Sequence, residues 1–134
     1  SGFTIIHGEK KLTVGARSHI GTCVFIDVSA DVRIGEFVGI GPKVTIISHS
    51  IHRPDTWGYK RGVFESVDIG DLVTIGYNTM ICHGVNIPFE TKVIPNSNII
   101  KSLPSSCMIY DSPTKRMILP LAFSKTNKLT TKMI

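Results

Sequence analysis

An aliphatic residue recurs at every sixth position in the second half of this chain. The positions in phase are Ile69, Ile75, Ile81, Ile87, Val93 and Ile99. A second residue, small or β-branched, follows four positions after each of the first five, at Val73, Thr79, Val85, Thr91 and Ser97. The N-terminal half repeats the pattern in two blocks, with aliphatic residues at Val14, Ile20 and Ile26 and then at Ile34, Ile40 and Ile46. An amphipathic helix needs an apolar period near 3.6 and a simple strand a period of two, so a period of six fits neither.

A period of six fits a coil of three short strands joined by tight turns, with about eighteen residues per coil. The aliphatic side chains would point to the axis and stack on their equivalents one coil away. Composition agrees, because the chain has nineteen Ile and eleven Val but only three Ala, and β-branched residues favour strands over helices. Gly follows the aliphatic residue at positions such as Gly35 and Gly76, where we expect it to supply the backbone freedom of a sharp corner. The pattern therefore predicts an all-β solenoid, which is stabilised by stacking and needs covers at its ends.

The pattern is interrupted twice. Between its two halves the chain leaves the repeat, which predicts a loop extruded from one corner at about residues 47–66. This segment holds His49, His52 and the only Trp, and loops of this size in compact folds are commonly functional. A two-residue slip between Ile26 and Ile34 is expected only to widen a turn.

The net charge of +5 is not spread evenly along the 134 residues. Residues 1–111 contain ten cations and ten anions, so all five surplus charges lie after Asp111. We expect one domain, residues 1–118, followed by a basic tail, residues 119–134, that caps the last coil and is partly helical. The one aromatic residue in the basic stretch is Phe123, which predicts a solvated end and no nucleic-acid partner.

No apolar run approaches the roughly 20 residues that a membrane-spanning helix needs. We also expect no signal peptide, although the chain begins with Ser1 and not with Met. Its three cysteines are an odd number without metal-ligand spacing, and we interpret them as reduced thiols with packing roles. The sequence therefore predicts a cytoplasmic protein without a membrane span.

Two segments resemble a known family. Residues 67–118, VDIGDLVTIGYNTMICHGVNIPFETKVIPNSNIIKSLPSSCMIYDSPTKRMI, resemble the C-terminal half of the hexapeptide-repeat acyltransferases, especially the galactoside and maltose O-acetyltransferase branch. Residues 34–55, IGEFVGIGPKVTIISHSIHRPD, resemble the coil and loop that precede that half. The resemblance implies a left-handed parallel β-helix, an exception to the usual right-handed crossover. It also implies a homotrimer with active sites between subunits and acetyl-CoA as the acyl donor. We expect no metal.

Acetyl transfer to a hydroxyl needs a base that takes the hydroxyl proton, and imidazole suits that role near neutral pH. His49 is the position that resembles the family's catalytic His, and we predict it as the general base, with His52 as the fallback and a candidate acceptor contact. Asp27 stands where the sugar acetyltransferases have an Asn that contacts the acceptor. Its carboxylate could bind a hydroxyl of the acceptor, orient His49, or serve as a turn residue. Trp57 is expected to pack on an acceptor ring or to anchor the loop.

On the donor side, the resemblance implies that CoA contacts five residues. These are Tyr77, Pro95, Ile100, Lys101 and Lys115. The two lysines would meet phosphate groups, where an ammonium group is a suitable point charge.

The sequence departs from the family's pattern around this groove. Pro88 and Pro95 each replace a small residue, Thr74 stands where Trp is usual, and Asp111 replaces a Gly. A proline removes a backbone donor, and Asp111 adds negative charge near an anionic cofactor. These changes predict that the CoA groove is reshaped or lost.

Three functions are therefore compared. The leading prediction is an acetyl-CoA-dependent acetyltransferase that acts on a hydroxyl of a sugar or glycoconjugate. The departures in the groove keep open a non-catalytic trimeric module for binding or structure. A zinc-dependent carbonic anhydrase of the same fold would need paired His five residues apart, whereas His49 and His52 are three apart.

Overall fold

In a computed structural model of the chain, the backbone is described for residues 2–54, 60–103, 107–112 and 115–120. Side chains are described for residues 2–50 and 62–103. The chain winds as a left-handed parallel β-helix of about four turns, which confirms the predicted solenoid. No helix occurs in the described part of the chain.

The coils contribute short parallel strands to three sheets, and β17 adds an antiparallel strand to one of them. Sheet I contains β1 (Thr4–His7), β4 (Val24–Asp27), β7 (Thr45–Ile46), β12 (Met80–Ile81) and β15 (Asn98–Ile99). Sheet II contains β2 (Leu12–Val14), β5 (Val32–Ile34), β10 (Val67–Ile69) and β13 (Asn86–Ile87). Sheet III contains β3 (His19–Ile20), β6 (Gly39–Ile40), β11 (Thr74–Ile75), β14 (Lys92–Val93), β16 (Cys107–Ser112) and β17 (Lys115–Pro120). We call the turn from sheet I to sheet II the first corner, from II to III the second, and from III to I the third.

The aliphatic residues of the repeat form a single column-like core. Nine isoleucines are almost completely buried: Ile26, Ile34, Ile40, Ile46, Ile69, Ile75, Ile81, Ile87 and Ile99. Each stacks on its equivalent in the next coil, as Ile81 does on Ile99 eighteen residues later. Burying one such side chain contributes roughly 1.5–3 kcal/mol, so the stack is the main source of stability. In the first coil Ile6 and Val14 remain exposed, because that coil has a described neighbour on one side only.

The corner glycines have a different role from the expected one. The residues with positive φ lie two positions after them and are mostly not glycine, for example Phe37 (φ 54°) and Asn78 (φ 55°). A Cβ on Gly41 would instead lie 2.7 Å from the backbone nitrogen of Tyr77 in the next coil. Glycine is therefore needed at these positions because neighbouring coils approach too closely for a side chain, and the expectation of backbone freedom was wrong.

The extruded segment is an antiparallel hairpin at the first corner. It consists of β8 (His49–Pro54) and β9 (Lys60–Phe64), and the residues between the two strands, including Trp57, lie outside the described residues. The solenoid resumes at Val67, which pairs with Val32 of the preceding coil. The insertion therefore leaves the core register intact.

The C-terminal end of sheet III is covered by an antiparallel strand. β16 pairs with β14 in parallel, and β17 then pairs with β16 in the antiparallel direction. The expected boundary between residues 118 and 119 falls inside β17, so this part of the predicted cap is a strand. The remainder of the predicted basic tail, residues 121–134, lies outside the described residues.

No helix in the described ranges is long and apolar enough to cross a membrane.

Candidate active site

The first corner brings Asp27 and His49 together from neighbouring coils. Asp27 ends β4, and His49 begins β8, three residues after β7 ends at Ile46. Strand β4 pairs with β7, with Ile26 opposite Ile46, so the residues that follow the two strands lie at the same corner. This pairing spans twenty residues and not eighteen, since the first corner of the coil holds two extra residues. The two-residue slip that was expected only to widen a turn therefore also sets which residues of the next coil lie beside Asp27.

Asp27 is a buried carboxylate, and both of its oxygens accept hydrogen bonds. Its side chain is 1% exposed. Ser29 donates to Oδ1 from its hydroxyl at 2.6 Å and from its backbone N–H at 3.3 Å. Ser48 donates to Oδ2 from its backbone N–H at 3.0 Å. Burial by itself would raise the pKa of Asp27, but the hydrogen bonds from Ser29, His49 and Ser48 outweigh it and hold the pKa well below its usual value of 3.8.

His49 is held by this carboxylate through one ring nitrogen. Its Nδ1 lies 2.6 Å from Oδ2 of Asp27, and its side chain is 38% exposed. Because an ionised carboxylate only accepts hydrogen bonds, Nδ1 must carry a proton, and in the neutral form of the ring Nε2 then holds the lone pair. The pair therefore presents an imidazole in the tautomer that can accept a proton at Nε2, with a buried anion placed to stabilise the imidazolium.

Phe64 contacts the face of the His49 imidazole. It is the residue of β9 that pairs with His49 of β8. Its ring stacks on the imidazole with a centroid separation of 5.9 Å and an interplanar angle of 18°. The hydrogen bond fixes one edge of the His49 ring and the stacking fixes one face.

Sequence reasoning identified His49 and Asp27 but missed the serines and Phe64. Ser48 is the residue directly before His49, and Ser29 lies in the two-residue slip, so both positions had a visible signal. Phe64 had none, because its contact depends on the register of the hairpin. The side chains of His52 and Trp57 lie outside the described residues.

The predicted donor residues lie at two corners that flank sheet I. Tyr77 and Pro95 are at the third corner, and Ile100 and Lys101 follow β15 at the first corner. All except the partly buried Pro95 are exposed. Lys115 lies in β17, and its side chain is outside the described set. Four of the five predicted donor residues therefore border the outer surface of sheet I, two at each corner.

Pro95 does not interrupt the backbone bonding of the third corner. The bonds between these coils are donated by Gly76 to Val93 at 2.7 Å and by Asn96 to Tyr77 at 3.0 Å. Position 95 donates neither of them, so the missing N–H of a proline costs no bond there.

The sequence matches no family model and no curated protein. Among solved structures, a hexapeptide-repeat acetyltransferase of Vibrio cholerae O1 biovar eltor, VCA0836, complexed with acetyl-CoA, is 28% identical with a TM-score of 0.73. The match covers 85% of this chain and 63% of that one. The chain is similar to a hexapeptide-repeat acetyltransferase.

Two further structures share the fold at lower identity. The polySia-specific acetyltransferase NeuO is 22% identical with a TM-score of 0.71, over 83% of this chain and 48% of NeuO. A mutant of AntD, an N-acyltransferase from Bacillus cereus in complex with dTDP and coenzyme A, is 20% identical with a TM-score of 0.74. That match covers 92% of this chain and 70% of AntD. The present chain thus spans less than two thirds of the length of VCA0836 and of NeuO.

The first corner offers a base but neither a metal site nor a reactive thiol in the part that the structure describes. Within the described ranges, no three His, Cys, Asp or Glu side chains lie close enough to hold a metal ion. Cys82 lies at the same corner, and burial raises the pKa of its thiol, which disfavours the thiolate. With Nδ1 held by Asp27, the geometry of this corner is suited to proton transfer at Nε2 of His49.

Proposed function

We propose that this chain is an acetyl-CoA-dependent acetyltransferase that transfers the acetyl group to a hydroxyl of a sugar or glycoconjugate. The observation that supports the proposal most directly is the 2.6 Å contact between Asp27 and Nδ1 of His49, which leaves Nε2 available as a base. The likeness to VCA0836, whose structure contains acetyl-CoA, supports the donor. A structure of a mutant of AntD in complex with dTDP-4-amino-4,6-dideoxyglucose and coenzyme A is consistent with a saccharide acceptor.

The proposed reaction uses the Asp27–His49 pair. Nε2 of His49 removes the proton of the acceptor hydroxyl while the hydroxyl oxygen attacks the thioester carbonyl. The C–S bond then breaks, and the departing thiolate of CoA takes the proton back from His49. Asp27 stabilises the transient imidazolium without itself gaining the proton, because its pKa is held low. An acetyl ester and free CoA are the products.

The outer surface of sheet I is the proposed path of CoA. Tyr77 and Pro95 border it at the third corner, and Ile100 and Lys101 border it at the first corner, two coils from His49. We assign phosphate contacts to Lys101 and to Lys115. Pantetheine would lie between these borders with its thioester directed to His49. We also propose a homotrimer with active sites between subunits, as the resemblance implies.

We place the protein in the cytoplasm. Cys23 and Cys82 are free thiols, which fits a reducing compartment.

The test is release of CoA thiol from acetyl-CoA in the presence of a panel of sugar acceptors. His49→Ala should lower the rate by about 10²- to 10⁴-fold while leaving CoA affinity, measured by calorimetry, unchanged. His19→Ala is the matched control, because His19 is an exposed histidine of sheet III, away from the first corner. If the folded wild-type chain binds no CoA, the enzyme proposal is wrong and the non-catalytic module is the better description.

A further inference from the structure

A second pair of a histidine and a carboxylate lies beneath the root of the hairpin. His83 is in the first corner of the next coil, between β12 and β13. Ile81 pairs with Ile46, before the hairpin, and Asn86 pairs with Asp68, after it. His83 therefore lies against both points at which the hairpin leaves and re-enters the solenoid.

Glu65 is the residue at the point of re-entry, and it is tied to both neighbouring segments. Its N–H donates to the carbonyl of Ser48 at 3.0 Å, and its carbonyl accepts from the N–H of Gly84 at 3.3 Å. A Cβ on Gly84 would collide with the Glu65 carboxylate, so glycine at this position allows the carboxylate to fold back over the corner. Gly84 also has a φ of 73°, which disfavours any replacement.

His83 has an unsatisfied nitrogen that faces this carboxylate. Its Nδ1 is buried without a hydrogen-bond partner among the described residues and lies 3.5 Å from Oε2 of Glu65. The His83 side chain is 29% exposed and that of Glu65 is 52% exposed. A movement of about 0.5 Å would bring the two atoms to hydrogen-bonding distance. Because a buried polar atom without a partner is costly, the corner favours that closure.

Glu65 is connected to the catalytic histidine through its neighbour in sequence. Phe64 immediately precedes Glu65 and stacks on His49. Successive residues at the end of a strand project in opposite directions, so Phe64 reaches His49 while Glu65 reaches His83. The position of Glu65 therefore sets where the Phe64 ring meets the imidazole.

We propose that His83 and Glu65 form a positioning pair that holds the root of the hairpin, and through Phe64 the orientation of His49. Their role in turnover rests on the proposed function, in which His49 is the base. Neither residue is required to touch substrate. The pair acts by keeping the His49 ring in the plane that its hydrogen bond to Asp27 demands.

The test is the rate at which the Nδ1 proton of His49 exchanges with solvent, measured by NMR on the full chain. Glu65→Ala and His83→Phe should each accelerate this exchange about tenfold, and the double variant should be no faster than the faster single variant, because the two residues act as one unit. Glu65→Gln, which keeps an acceptor oxygen, should restore most of the protection. Asp68→Ala is the matched control: it removes a carboxylate three residues away that pairs with Arg33 on the solenoid surface.

In the acetyl-transfer assay the two disruptive variants should lower kcat several-fold and leave the dissociation constant of CoA unchanged. A purely structural role predicts instead that amides throughout the corner exchange faster and that Tm falls in proportion. Unchanged His49 exchange in both variants would overturn the positioning role. The NMR measurement stands without catalysis, so an inactive wild-type chain would count against the proposed function and not against the pair.

Discussion

Replacement of Asp27 by Asn removes one charge and one acceptor with almost no change of shape. Oδ1 of Asp27 accepts from the N–H and the hydroxyl of Ser29, and Oδ2 accepts from the N–H and the hydroxyl of Ser48 and from His49. An amide offers one oxygen and one NH₂ group. In either orientation its NH₂ therefore faces a backbone N–H, of Ser29 or of Ser48, and one buried donor loses its partner.

The two orientations have different consequences for the base. With the amide oxygen toward His49, the tautomer is kept but the negative charge that stabilises the imidazolium is lost. With the NH₂ toward His49, Nδ1 must become the acceptor and the proton moves to Nε2, which can then no longer accept a proton. We expect a loss of kcat of about 10²- to 10⁴-fold and a loss of unfolding free energy of about 1–3 kcal/mol.

Thiol release from acetyl-CoA measures the first effect, and urea unfolding measures the second. Asp31→Asn is the matched control, since Asp31 lies at the same corner and is exposed, with its Oδ1 accepting from the N–H of Lys11. A folded Asp27→Asn chain that keeps kcat within about threefold of wild type would refute the proposal that Asp27 orients His49 and stabilises its imidazolium.

Two further predictions concern stability. Because the pKa of Asp27 is lowered in the folded state, its contribution to stability is complete above the unfolded value of about 4 and is lost as the pH falls toward the lowered value. The urea midpoint of the wild type should therefore drop below about pH 4 more steeply than that of Asp27→Asn, and parallel pH curves would contradict this. Gly41→Ala should cost about 1–3 kcal/mol in urea unfolding, because its Cβ would lie 2.7 Å from the Tyr77 nitrogen. Gly39→Ala, whose Cβ meets nothing within 4 Å, should be close to neutral, and equal losses in both would refute the close-approach argument.

Much of the architecture could be predicted because the repeat is local and periodic. Each inward position, such as Ile75 or Ile87, faces the same environment one coil after another, so its residue type reports its burial directly. The position of the extruded loop could be predicted for the same reason, because the six-residue repeat is interrupted there. The prediction that His49 is the base came from the resemblance and stays a prediction, whereas its place three residues after Ile46, at the start of that interruption, can be read from the repeat.

The contacts of the candidate site depend on register, which the repeat does not report. Asp27 meets His49 because the first coils contain twenty residues, and an eighteen-residue coil would pair Ile26 with residue 44 instead of Ile46. The Phe64 contact likewise depends on which residues of β8 and β9 face each other. Neither alignment could be predicted from the six-residue repeat.

The sequence by itself determined that this chain stacks short strands into a solenoid, because an apolar residue at every sixth position can be buried in no other regular way. Only the tertiary structure decided which polar side chains meet at the first corner. Residues such as Asp27, His49, Glu65 and His83 are separated by many positions, and their distances are set by the number of residues in each coil and by the pairing of the hairpin. Which residues are buried depends on the six-residue period, whereas which polar side chains meet depends on the register between coils.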